Sequence, residues 1–251
     1  MDRRSFVSRA GGALLLAPAL AGRGGRPPPT PAADRPDPDG VARRGRARPS
    51  PGGEGVPHAR PASTTLFLAG DVMTGRGVDQ ILPRSVEPTL HERYVKDART
   101  YVRIAEQAGA RIPEEVGFDY VWGAALGELD ALAPDHRLVN LETAVTTHDE
   151  PWPGKGIHYR MHPANVPVLT AAGLDAVVLG NNHVMDWGRP GLRETLRSVR
   201  DGGIATAGAG VDQEEAAEPA VLEGRAGRTL LFSWASPTAG VPATWSAGPG
   251  E

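Results

Sequence analysis

Four short apolar runs punctuate the chain: Thr64–Ala69, Arg137–Leu141, Asp175–Leu179 and Thr229–Trp234. Each is apolar at successive positions and not at every second one. That pattern suits a strand covered on both faces, as in a parallel or mixed sheet. Ile204–Ala207 reads as a further short strand. Helical spacing fills the gaps. Tyr94, Tyr101, Ile104 and Ala108 recur roughly on one face between Glu92 and Gln107, and Gly109 supplies a stop. A second helix is predicted over Val121–Leu132, ended by Pro134, and a third over Asn165–Ala172, with Asn165 as cap and Gly173 just past its end. The clearest pattern is Pro190–Arg200. Leu192, Leu196 and Val199 form its apolar stripe, Pro190 suits the first turn and Gly202-Gly203 ends it. Strands alternating with helices predict an α/β fold.

The pattern is missing from the first quarter of the chain. Residues 1–62 of the 251 hold 11 of the 24 prolines and 10 of the 32 glycines, and almost nothing apolar after Leu20. Charge divides at the same place. This segment carries 11 Lys+Arg against 5 Asp+Glu, a net of +6, and the remainder carries 16 against 25, a net of −9. An acidic body argues against nucleic-acid binding, which needs a basic face to neutralise phosphates. The absence of cysteine excludes disulfides, Cys-ligated zinc and lipidation through a lipobox cysteine.

Met1-Asp2-Arg3-Arg4-Ser5-Phe6-Val7 resembles a twin-arginine export signal. A weakly apolar stretch, Ala10–Leu20, follows, and Ala19-Leu20-Ala21 offers small residues for cleavage. The stretch is shorter than the ~20 apolar residues of a membrane-spanning helix. The expected organisation is a signal segment over 1–21, a disordered Pro/Gly/Arg-rich linker over 22–62 and a folded domain over 63–251. The signal implies an exported protein of the cell envelope or extracellular space, with no transmembrane helix beyond the signal.

Polar residues of chemical interest sit directly after the apolar runs. Asp71 follows the first, Asn140 and Glu142 end the second, and Asn181, Asn182 and His183 follow the third. In open α/β sheets, sites form outside the carboxyl ends of strands. Singly, each has an ordinary reading: Asp71 as a turn cap, Glu142 in an ion pair, Asn181-Asn182 as a turn, His183 as a core histidine. Together they predict one pocket. Carboxylates, an Asn carbonyl and imidazole are ligands for Mn, Fe or Zn type ions, and a pair of such ions about 3.5–4 Å apart can activate water. The loop Trp152–Arg160, aromatic and basic, either packs over this pocket or lines an approach to it.

The segments Gly70-Asp71-Val72-Met73-Thr74-Gly75-Arg76, Asn140-Leu141-Glu142-Thr143 and Asn181-Asn182-His183-Val184-Met185-Asp186-Trp187-Gly188 resemble the signature blocks of CapA-type capsule-synthesis proteins. Gly191–Leu196 and Gly208-Ala209-Gly210 continue the resemblance, which runs from about Thr64 onward. It implies a calcineurin-like metallophosphatase fold, a two-sheet sandwich flanked by helices. It further implies Asp71, Glu142 and Asn182 as metal ligands, His183 as the catalytic histidine and Asp186 as its partner, with Arg76 steadying an anionic substrate or held in an ion pair. The superfamily often has a His where Met73 stands. The family's later His-Trp-Gly and Gly-His-His-Pro-His blocks are not found in this sequence. The resemblance therefore implies divalent metals for the full-length family member, an incomplete metal site here, and a domain truncated at its C-terminus. The implied function is synthesis, handling or attachment of an anionic envelope polymer such as poly-γ-glutamate, with that polymer, its precursors or capsule-synthesis membrane proteins as partners. A metal-dependent phosphoesterase and a non-catalytic polymer-binding protein are the alternatives.

Overall fold

The structure, a computed structural model, describes residues 63–248. The expected signal segment and linker lie outside the described residues. In chain order, β1 (Leu66–Val72) leads through α1 (Gly77–Ile81), α2 (Arg99–Ala108) and α3 (Ala125–Leu132) to β2 (His136–Leu141). Then come β3 (Ala144–Val145), β4 (Arg160–Met161), α4 (Pro167–Ala171), β5 (Ala176–Val178), α5 (Gly188–Asp201), β6 (Ala205–Ala207), α6 (Gln213–Ala217), β7 (Ala220–Gly224) and β8 (Gly227–Leu231).

The chain has an α/β fold. Its centre is a four-stranded parallel sheet of order β1-β2-β5-β6. Parallel strands need long crossovers, and helices supply them. All four carboxyl ends therefore fall on one side of the molecule. At the end of β1 the pairing slips: Ala69 faces Val139, but Asp71 faces Asn140, leaving Gly70 as the extra residue of a bulge. Bulges re-aim side chains at sites, and this one brings Asp71 level with Asn140.

One face of the sheet carries Val139, Leu141, Val177 and Leu179 onto Val168 and Leu169 of α4 and Leu192, Leu196 and Val199 of α5. Each such side chain, fully buried, contributes roughly 1.5–3 kcal/mol. The stripe that predicted α5 is the face it buries. On the other face, Leu138 and Ala176 meet Leu222 of β7, with Leu231 of β8 beside them. That cover is partial, and Leu68 of β1 is 67% exposed.

Several expectations need correction. The helix predicted from Glu92 begins at Arg99, and a bridge between Thr89 and Asp97 holds the preceding loop. Tyr94 is accordingly 89% exposed and not part of a stripe. Asn165 does not cap α4. It is buried, and its Nδ2 donates to Asp79 Oδ1 at 2.9 Å. Thr229–Trp234 is not a central strand. β8 pairs antiparallel with β7 in a hairpin, so its alternate residues face outward. The Gly/Pro-rich segment after β8 is anchored, because Trp245 is buried in the main core.

Candidate functional site

The strand ends are joined by two carboxamides. Asn140, next to last in β2, donates from Nδ2 to Asp71 Oδ1 at 2.7 Å and to Glu142 Oε2 at 3.2 Å. Asn181, just past β5, donates from Nδ2 to Asn140 Oδ1 at 3.0 Å and to the Leu141 carbonyl at 2.9 Å. Its own Oδ1 accepts from the His183 N–H at 2.9 Å. The Glu142 N–H donates to the Val72 carbonyl at 3.0 Å, which fixes that residue against the end of β1. The two carboxylates are thus held side by side. Burial, followed by the hydrogen bond and charge of Asp71, pushes the Glu142 carboxyl up to about 7.

His183 is buried beside them, its Nε2 3.7 Å from Glu142 Oε1. Its Nδ1 meets Asp186 Oδ2 at 2.7 Å. Asp186 is fully buried, and Oδ2 also accepts from the Tyr159 N–H at 2.6 Å. A carboxylate on Nδ1 assigns the ring proton to that nitrogen and leaves the Nε2 lone pair toward Glu142. Lys155 Nζ forms an ion pair with Asp186 Oδ1 at 2.6 Å and lies 3.1 Å from His183 Nδ1. Burial lowers the proton affinity of His183, Asp186 opposes that, and the Lys155 charge adds to the lowering.

A stack of rings and one guanidinium backs the histidine. Tyr159 stacks on His183 with centroids 4.0 Å apart. Arg76 lies over Tyr159 at 4.6 Å and over Tyr101 at 4.8 Å. Glu92 holds Arg76 in an ion pair at 2.5 Å and accepts from the Tyr101 hydroxyl at 2.6 Å. Arg76 has φ 51° and ψ −128°, a conformation costly for a residue with a Cβ.

Residues 65–251 match the family model described as bacterial capsule synthesis protein PGA_cap. The chain belongs to this capsule-synthesis family. It is 45% identical over 188 residues to proteins named probable polyglutamine synthesis accessory protein in two Mycobacterium tuberculosis strains, CDC 1551 / Oshkosh and ATCC 25618 / H37Rv. Those alignments cover 74% of this chain and 50% of each relative, so the chain spans about half the length of these curated relatives. An uncharacterized Sinorhizobium fredii protein is 37% identical over 81 residues, covering 32% of this chain and 18% of its own.

Of the positions that the resemblance to the capsule-synthesis family assigns, the structure gathers Asp71, Glu142, His183 and Asp186. Asn182 stands apart. It makes no hydrogen bond among the described residues, and a Cβ on Gly240 would lie 3.8 Å from its Cγ. The donor set does not fit a two-metal centre. Asp71 and Glu142 are two adjacent carboxylates, Nδ1 of His183 is taken by Asp186, and no group of three or more His, Asp or Glu side chains among the described residues is arranged to hold a metal ion. No chemical step is derived through a metal here.

Sequence reasoning gave Asn140 and Asn181 no role beyond strand end and turn. Their hydrogen bonds depend on strand register, which the sequence does not print. Lys155 and Tyr159 were visible only as part of an aromatic, basic loop. Their place against Asp186 and His183 follows from the pairing of β4 with β3, a ladder two residues long.

Proposed function

We propose that this chain takes part in the synthesis, handling or attachment of an anionic envelope polymer such as poly-γ-glutamate, with the strand-end cluster as its working site. Membership of the capsule-synthesis family and the printed names of the Mycobacterium relatives support the polymer assignment. The observation that carries the chemistry is the 3.7 Å approach of His183 Nε2 to Glu142 Oε1, beside Asp71. Glu142 changes protonation near neutrality and His183 offers a bare nitrogen, a matched donor and acceptor for proton transfer to a bound substrate. Asp186 fixes the imidazole.

The same reading takes the parallel sheet as one layer of a metallophosphatase-like sandwich. It is supported by the β7–β8 hairpin packed on the sheet's second face. Divalent metals belong to the longer family member in this reading, since the ligand set of this chain falls short. Export is supported by Arg3-Arg4 and Ala19-Leu20-Ala21.

The test is genetic and chemical. In the encoding bacterium, deletion of the gene is expected to lower cell-associated γ-linked glutamate polymer, and the wild-type gene to restore it. Glu142→Gln and His183→Asn should fail to restore it at equal protein level. Unchanged polymer in the deletion strain would overturn the reading.

A further inference from the structure

A second concavity, of about 350 Å³, opens past the carboxyl ends of β5 and β6. This lies at the lower end of the ≈ 300–1,000 Å³ typical of small-ligand pockets. Leu179, Val184, Met185 and Leu192 give it apolar lining, and Arg189 and Arg193 of α5 and Trp245 contribute the rest of its chemistry. Asn181 lines it as well. The residue that ties Asn140 to the strand-end cluster is therefore also part of this cavity.

Two independent observations point to an anionic, acceptor-bearing occupant. Trp245 is 9% exposed, yet its Nε1–H is buried with no acceptor. An unsatisfied buried donor costs roughly 1–3 kcal/mol, so it is normally explained by a missing partner. Arg193 is exposed and makes no hydrogen bond or ion pair among the described residues. The acids nearby are already engaged. Asp212 Oδ1 accepts from the Glu215 N–H at 2.9 Å, and Glu215 pairs with Arg200. The free charge at the cavity is thus positive.

We propose that this cavity is a subsite for one unit of the polymer handled at the strand-end cluster: a short methylene chain bearing a carboxylate and an amide carbonyl. The methylenes suit Val184, Met185 and Leu192, the carboxylate suits the Arg193 guanidinium, and the carbonyl suits the Trp245 indole N–H. A guanidinium recognises a carboxylate through two parallel hydrogen bonds. The inference rests on the reading proposed above and names where the neighbouring unit of the chain is held.

The test uses the 251-residue protein and a γ-linked glutamate trimer, with binding followed through the indole N–H resonance of Trp245. The trimer should shift that resonance. Arg193→Gln should weaken binding about tenfold, as expected for a lost charged hydrogen bond. Trp245→Phe should weaken it several-fold with an unchanged melting temperature. A trimer with amidated side chains should bind at least tenfold more weakly, and Asp71→Asn should bind like the wild type. The subsite is overturned if the trimer leaves the indole resonance unmoved, or if Arg193→Gln and Trp245→Phe bind as tightly as wild type. It is also overturned if inorganic phosphate competes as well as the trimer, for that marks a general anion site. The two readings fail separately. Polymer lost on gene deletion with Trp245 untouched by the trimer removes only the subsite, whereas a filled cavity with polymer unchanged on deletion removes only the cellular function.

Discussion

Asn181 donates to the side-chain oxygen of Asn140 at 3.0 Å, and Asn140 in turn donates to both Asp71 and Glu142. The neighbouring Asn182 has no hydrogen bond among the described residues, so two adjacent and chemically identical residues should behave differently. Asn181→Ala is expected to cost roughly 1–3 kcal/mol, because it strips a donor from a buried carbonyl and from Asn140. Asn182→Ala should stay within about 0.5 kcal/mol. Urea denaturation of the two variants reads the difference, and equal costs would contradict the hydrogen-bond assignment.

The Glu142 carboxyl, at about 7 when folded against 4.5 ordinarily, makes stability depend on pH in a defined direction. Between those values the folded state holds a proton that the unfolded state has lost. Stability from this group is therefore greatest below about 4.5 and falls as pH rises to about 7. His183, with its lowered proton affinity, acts in the opposite direction below its ordinary range. The measurement is accordingly a difference: melting temperature from pH 5 to 8 for wild type minus Glu142→Gln. The difference should become more negative as pH rises and level off above 7. A flat difference would place the Glu142 proton elsewhere.

Lys155 is the charge that answers Asp186, a carboxylate with no exposure. Removing one partner of a buried ion pair leaves the other charge uncompensated, at a cost of about 3 kcal/mol or more. Lys155→Met should therefore destabilise more than Lys96→Met, whose ammonium bonds only a backbone carbonyl. Comparable denaturation midpoints for the two variants would show that Asp186 is satisfied by His183 and Tyr159 alone.

Leu230, Phe232 and Trp234 alternate along β8 and its continuation, all exposed, and the last two rings stack 5.4 Å apart. A contiguous apolar strip of this kind promotes association. The protein should elute from a sizing column with a mass that rises with concentration. Trp234→Ser combined with Leu230→Ser should weaken that dependence without changing the far-ultraviolet spectrum. A concentration-independent monomer before mutation would contradict it.

The α/β class was legible because strands buried on both faces leave unbroken apolar runs, as at Leu138–Leu141 and Ala176–Leu179. α5 was legible through Leu192, Leu196 and Val199. β7 escaped because Ala-Val-Leu-Glu-Gly alternates weakly and borrows its stability from β8. α1 and β3 are too short to carry a period. At the site, residue type and position after a run pointed to Asp71, Glu142 and His183. The division of labour between Asn181 and Asn182 was not legible, since it depends on which carboxamide the turn after β5 directs toward β2. Tyr94 misled for a related reason: its helical spacing was present, but the chain around it is pinned by the Thr89–Asp97 bridge.

Trp152 meets Trp245 edge-to-face with ring centroids 5.3 Å apart, and Lys155 Nζ lies 6.0 Å above the Trp245 ring. Two indoles this close and nearly perpendicular couple their electronic transitions, and an ammonium beside one of them perturbs its emission. The pair spans the loop that carries Lys155 and the wall of the cavity beside α5. The molecule therefore contains its own optical gauge: any ligand that shifts Trp245, or any movement of the Lys155 loop, alters near-ultraviolet dichroism and intrinsic fluorescence without a label.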